Sequence, residues 1–369
     1  MRISFPEQNK KYRLIIKNEE TNFIIFNDIV CNQIISSKKK YYVKWGFYIY
    51  NEQEELIYQH VCDLYNRKVL VALPVRTLGD SIAWFSYLER FQQKHNCKLS
   101  VFVNDNIKEL FQKQYKQFTF LGEKDNVFVE QKFYAIYYLG LFFKGENNYQ
   151  PIDFRHVGLH KTAAMILGLH SAEEQKDIPP RVDLTAKRKI KGKYVVIATQ
   201  ASSLAKYWNN PCGWNEVISF LKENGYKVIC IDKRQENGCN YTFRYMPWGV
   251  EDYTGDLPLQ ERVDIIKDAD FFIGLPSGLS WLAWCCKVPV VLISGFSLPK
   301  TEFYTPYRII NYSDCCGCWD DVTVDFDHND FFWCPKQKKE SNKFICTKNI
   351  TSTQVINSIK TIPTFRPKK

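Results

Sequence analysis

Nowhere in this 369-residue sequence does an apolar run reach the length needed to cross a bilayer. The opening stretch, MRISFPEQNKKYRLII, scatters charges among its apolar residues and shows no signal-peptide pattern. A cytoplasmic protein is therefore expected. Its six histidines form no metal-ligand spacing, and no serine stands in a nucleophile-elbow sequence, which removes support for a hydrolase triad. No G-x-G-x-x-G follows the early strands, and this weakens the case for a nicotinamide or flavin enzyme. Low-complexity tracts and short repeats are lacking too. What is present is a folded chain with 45% hydrophobic residues, long enough for two or three domains. Its formal charge of +10 suits an anionic partner. Because the basic residues are spread out and form no block, a phosphorylated small molecule fits as well as nucleic acid.

Three patterns follow one another along the chain. Residues 1–66 alternate in the strand manner in YRLIIKN, NFIIFND and KKYYVKWGFYIYN, which predicts a small β-rich domain. Residues 67–185 switch to strand, helix, strand: KVLVALP, a helix from Asp80 with that residue as its cap, then KLSVFVND. Helical segments are predicted at NIKELFQKQYKQF and near HVGLHKTAAMILGL. The charged, proline-bearing EEQKDIPPRVDLTAKRKIKG reads as a linker. Residues 186–310 then give a second α/β series of four strands with three helices between them, the grammar of a doubly wound domain. Two such halves leave a cleft between the carboxyl ends of their sheets.

Residues 311–369 carry the most specific spacing. Cys315, Cys318, Cys334 and Cys346 read C-x2-C-x15-C-x11-C, in which two short knuckles can converge on one tetrahedral ion. The intervening WDDVTVDFDHNDFFW is acidic and short, so an ion would replace hydrophobic burial there. Four thiolates close the coordination shell and make such a site structural. Zinc is the default, iron takes the same ligands, and paired disulfides or unrelated thiols are the alternative. The total of 13 cysteines is odd, which argues against a complete disulfide set.

The chemistry is expected at strand ends. Asp80 follows the first parallel strand, where a carboxylate can cap the helix, serve as general base to a hydroxyl, or do both. Ser277, Gly278 and Leu279 open a helix after a strand in GLPSGLSWLAW. Backbone N–H groups there, aided by the helix dipole, suit a diphosphate, although plain tight packing gives the same pattern. Lys206 in TQASSLAKYWN could neutralise such a leaving group or lie solvated at the surface. Trp208 could wall a sugar or base pocket, or be core.

Taken together, GDSIAW, QASSLAKYWNNP, GLPSGLSWLAW and the terminal four-cysteine segment, in that order on one chain, resemble the bacterial autotransporter heptosyltransferases. The resemblance covers nearly the whole chain, and the general two-domain pattern is shared with lipopolysaccharide heptosyltransferases. It implies the GT-B fold, two Rossmann-like domains facing a cleft, and inverting transfer of heptose from ADP-heptose to serines of an autotransporter adhesin passenger domain. It further implies Asp80 as base, Lys206 and Trp208 at the donor, and Ser277, Gly278 and Leu279 at the diphosphate. It implies structural iron (Fe3+) on Cys315, Cys318, Cys334 and Cys346, and assembly into large rings such as a dodecamer. Two rivals remain. A lipopolysaccharide-type acceptor would favour a membrane-facing amphipathic helix, and none is convincing. A nucleic-acid-binding protein is motivated by charge and cysteines, but the segment between the cysteine pairs is acidic.

Overall fold

The computed structural model describes residues 1–5, 10–125, 133–143, 148–335 and 342–368. Near the N-terminus four antiparallel strands lie in the spatial order Phe23–Val30, Tyr12–Asn18, Trp45–Tyr50, Leu56–Val61. The alternation in YRLIIKN turns Leu14 and Ile16 inward, where they pack with Val30, Trp45 and Phe47.

A parallel four-stranded sheet follows, in the order Ala135–Tyr138, Lys68–Ala72, Lys98–Phe102, Thr119–Leu121. Lys68–Ala72 is buried from Val69 onward, which is why it reads as a continuous apolar run without alternation. The helix predicted from Asp80 begins earlier. It spans Leu78–Phe85 with Thr77 as N-cap, and a second helix, Leu88–His95, continues after a break. Asp80 is therefore the third helical residue and not the cap. The segment HVGLHKTAAMILGL likewise forms two helices, Phe154–Val157 and Leu159–Ile166, because Gly158 adopts φ +95° between them.

The second sheet has six parallel strands, in the order Glu251–Asp252, Lys227–Cys230, Tyr194–Ile197, Phe271–Gly274, Val290–Ile293, Arg308–Ile309. The four inner strands are the ones the sequence predicts. The two outer ones have two residues each, too short to leave a hydrophobic period. An antiparallel hairpin, Glu236–Cys239 with Thr242–Tyr245, is inserted beside this sheet. The C-terminal helix Ser352–Lys360 starts with a Thr351–Gln354 capping box. It buries Val355 and Ile359 in the core of the same unit, together with Trp333, Phe344 and Ile350.

The two sheets meet through helix starts. Leu78–Phe85 and Gly278–Cys285 pack on each other, and a side chain on Gly278 would place its Cβ 2.7 Å from Leu78 Cβ and 3.0 Å from the Gly79 nitrogen. Only glycine permits so close a backbone approach. Between the sheets opens a cleft of about 910 Å³.

Candidate active site

The first sheet contributes Asp80 from the first turn of its opening helix. The Thr77 hydroxyl donates to the Asp80 carboxylate, and the Ser81 hydroxyl donates to the Thr77 carbonyl at 2.8 Å. Half-buried at the cleft, the Asp80 carboxyl is raised above the ordinary carboxylate range by burial. The Thr77 hydrogen bond, the Lys206 cation and His328 pull it partly back.

Lys206 comes from the second sheet, on the short 3-10 turn Leu204–Lys206 that follows Tyr194–Ile197. Burial lowers its ammonium below the usual lysine range, opposed by Asp80 and then Glu302. Its Nζ stands 5.2 Å from the Phe296 ring centroid and 5.8 Å from that of Trp319, so aromatic faces supply part of the solvation it has lost. The turn is held by the C-terminal segment: the Leu204 N–H donates to the Phe331 carbonyl at 2.9 Å, and the Asn209 amide donates to Thr347 Oγ1 at 2.9 Å.

Ser277, Gly278 and Leu279 also line the cleft. Ser277 is the N-cap of Gly278–Cys285, yet its hydroxyl makes no cap bond, and among the described residues its buried Oγ has no hydrogen-bond partner. An orphaned hydroxyl beside free helix-start N–H groups is arranged for an external acceptor such as a phosphate oxygen.

Trp208 is placed elsewhere. It is 3% exposed, its indole N–H donates to the Ile350 carbonyl at 2.9 Å, and its ring lies 5.2 Å from Trp214. It is a core residue that anchors the C-terminal segment, and the cleft lining does not include it.

Several cleft residues carry no sequence signal that singles them out. Asp232 accepts from the Thr199 N–H at 2.9 Å, the Thr199 hydroxyl at 2.7 Å and the Gln200 N–H at 3.2 Å, which fixes two strand ends relative to each other. Buried Glu302 accepts from Ser297 Oγ at 2.6 Å and pairs with Arg308 at 2.8 Å. Trp319, Phe326 and His328 reach the cleft from the stretch between the cysteine pairs. That stretch was expected to lack burial of its own, but Trp319 and Phe326 each lie 5.3 Å from Phe296 and from one another. The acidic composition hid an aromatic face, because the aspartates alternate with the rings.

Cys315, Cys318, Cys334 and Cys346 form no disulfide with one another, which speaks against the paired-disulfide alternative. Among the described residues, no three His, Cys, Asp or Glu side chains stand together at metal-binding distances. Cys318 and Cys346 nonetheless feel their neighbours. Burial, then charge at Cys346, Cys334 and Cys315, pushes the Cys318 thiol well up, and burial followed by Cys315 and Cys334 pushes Cys346 to about 12. Two buried thiols raised in part by the cysteines around them suit a soft cation, which would relieve the repulsion. The donor chemistry thus fits a metal, although the thiols would have to draw closer to ligate it. The same segment spans the two sheets: the Arg155 guanidinium, paired with Asp153 at 2.7 Å, donates to the carbonyls of Val322 and Val324 at 3.3 and 3.4 Å.

Comparison with known proteins bears on the family and the fold. Residues 146–312 match the model of glycosyltransferase family 9 (heptosyltransferase). Over 365 residues the chain is 46% identical to the autotransporter heptosyltransferase Aah of Escherichia coli, covering 99% of this chain and 91% of that protein. The iron-containing dodecameric heptosyltransferase TibC of enterotoxigenic E. coli, solved in complex with ADP-D-beta-D-heptose, superposes with a TM-score of 0.91. The two share 44% identity, covering 98% of this chain and 93% of TibC. An inactive autotransporter heptosyltransferase, BimC of Burkholderia thailandensis, is 31% identical over 98% of this chain and 84% of its own. With its cleft between two parallel sheets and near-complete coverage by these relatives, the chain belongs to the autotransporter heptosyltransferases, glycosyltransferases of family 9.

Proposed function

We propose that this enzyme is an inverting protein O-heptosyltransferase that moves heptose from ADP-heptose to serine hydroxyls of an autotransporter adhesin passenger domain in the cytoplasm. The observation that carries this reading is the meeting of Asp80 and Lys206 in one cleft from opposite sheets, each altering the other's ionisation. A raised carboxyl is a stronger base while it remains ionised, and the partial counter-charge of Lys206 helps keep it so.

In this scheme Asp80 takes the proton of the acceptor serine as its oxygen attacks the anomeric carbon from the face opposite the diphosphate. The bond from that carbon to the β-phosphate oxygen breaks, and the electron pair leaves on ADP. Lys206, the Ser277 hydroxyl and the N–H groups of Gly278 and Leu279 then stabilise the charge that develops on the phosphate. Single displacement inverts the anomeric configuration.

The reading includes a division of labour. Residues 67–185 supply the acceptor side and residues 186–310 the nucleotide-sugar side, with 1–66 as a β-rich addition and 311–369 as a metal-binding segment. Cys315, Cys318, Cys334 and Cys346 would hold iron, or zinc in its place, and the metal would brace that segment against the Lys206 turn. TibC is an iron-containing dodecamer, which supports both the metal and a ring-like homo-oligomer here.

Intact-mass analysis of a passenger fragment incubated with the protein and ADP-heptose tests the proposal, with Asp80→Asn as control. Added masses of one heptose unit, lost in the control, are expected. An unmodified passenger with heptose appearing instead on a lipopolysaccharide-type acceptor would overturn the protein substrate. Full turnover by Asp80→Asn would remove Asp80 as base.

A further inference from the structure

His328 lies between the two cysteine pairs, 10 residues past Cys318 and 6 before Cys334, and its ring lines the cleft. Three aromatic rings hold it at nearly right angles: Phe326 at 4.6 Å and 85°, Phe143 at 5.7 Å and 81°, and Trp319 at 6.2 Å and 87°. Phe143 belongs to the first sheet's unit and the other two to the C-terminal segment, so the imidazole is gripped from both sides of the cleft. Among the described residues no hydrogen bond satisfies its ring nitrogens, and the residue is exposed to the cleft. A ring fixed this firmly, with both nitrogens left for an external partner, has the features of a ligand contact.

Its position indicates which part of the substrate it meets. His328 interacts electrostatically with both Asp80 and Lys206. In the proposed reaction the base marks the attacking oxygen and the lysine marks the leaving phosphate, so the transferred sugar must lie between them. A group that faces both flanks the sugar. The chemistry of the side chain agrees, since burial and then the Lys206 cation lower the imidazole below the usual histidine range and favour the neutral ring. Neutral imidazole both donates and accepts, which suits sugar hydroxyls better than a diphosphate. Beside it, Trp319 and Phe326, backed by buried Phe296, offer aromatic faces on which the apolar face of a sugar ring can rest.

We infer that the four-cysteine segment builds the subsite for the transferred sugar, with His328 hydrogen-bonding its hydroxyls and Trp319 and Phe326 forming its wall. This deepens the heptosyltransferase reading and rests on it.

The test compares binding of ADP and of ADP-heptose by calorimetry to the wild-type protein, His328→Ala and His328→Gln. The expected result is a loss of about tenfold in ADP-heptose affinity for His328→Ala, the scale of one or two hydrogen bonds, with ADP affinity unchanged. The Gln variant, which keeps a donor and an acceptor, should recover most of the loss. Equal weakening of ADP and ADP-heptose in His328→Ala would overturn the assignment, since the residue would then act on the nucleotide or on the fold. Unchanged binding of both would overturn it too. Failure of the parent reading gives a different signature: wild-type protein that binds ADP-heptose no more tightly than ADP and transfers no heptose.

Discussion

Gly79 and Gly278 lie back to back where the two sheets meet. A Cβ on Gly79 would stand 3.4 Å from Gly278 Cα and 3.2 Å from a Trp281 ring carbon, and the reverse substitution meets the Gly79 nitrogen at 3.0 Å. The same two turns carry Asp80 and the orphaned Ser277 hydroxyl, so the contact that joins the sheets also sets the spacing of the proposed base and the proposed diphosphate cradle.

Gly278→Ala is therefore expected to impair transfer out of proportion to its effect on folding. The added methyl meets Leu78 Cβ at the root of its side chain and the Gly79 nitrogen, both of which yield less readily than a side-chain tip, and relief would separate the helix starts. Overpacking of this kind costs about 1–3 kcal/mol. Denaturant unfolding together with kcat/KM checks it. Wild-type transfer with intact stability would show that the contact tolerates a methyl.

Lys206→Met should lower transfer by roughly a hundredfold, the scale on which a charge stabiliser at a leaving group acts. It should also move the acid limb of the kcat/KM profile. Burial already raises Asp80, and Lys206 counteracts it. Without the cation the carboxyl rises further and protonates at higher pH, so activity is lost sooner as pH falls. Conversely, the lowered lysine predicts that the wild-type alkaline limb falls below the usual lysine range. An acid limb in Lys206→Met that stays in place, or shifts to lower pH, would dissociate the two groups.

Trp208→Phe separates core from pocket. Losing the indole N–H leaves the Ile350 carbonyl with the Asn210 amide, 3.1 Å away, as a remaining donor, so the cost is that of one hydrogen bond, about 0.5–1.5 kcal/mol. The KM for ADP-heptose should stay within about twofold, because no uniform binding contact has been removed. A large rise in KM with unchanged stability would return Trp208 to the donor pocket.

Cys318→Ser tests the metal. Elemental analysis of the purified protein is expected to show one iron per chain, or zinc in its place, and its loss in the variant. Because the segment also holds the Lys206 turn through Phe331 and reaches Arg155 through Val322 and Val324, transfer should decline together with metal content. A fully loaded Cys318→Ser protein would remove Cys318 from the ligand set.

Much of this architecture is written locally. Continuous apolar runs such as Lys68–Ala72 and Phe271–Gly274 declare buried parallel strands, because each strand is covered on both faces and its period-2 signal vanishes. Strand-to-helix turns place Asp80 and Ser277 at carboxyl edges for the same local reason, and four cysteines at short spacing are visible wherever they fold. Tertiary structure decided the rest. That Trp208 turns into the core, that Thr77 caps the helix in place of Asp80, and that His328, Trp319 and Phe326 enter the cleft all depend on contacts between segments 100 or more residues apart, or on backbone angles one residue wide. Composition denied the aspartate-rich stretch a core of its own, since averaging over a window cancels rings against carboxylates. Folding separates them face by face, and a one-dimensional sequence holds no record of which face will meet a sheet edge far along the chain.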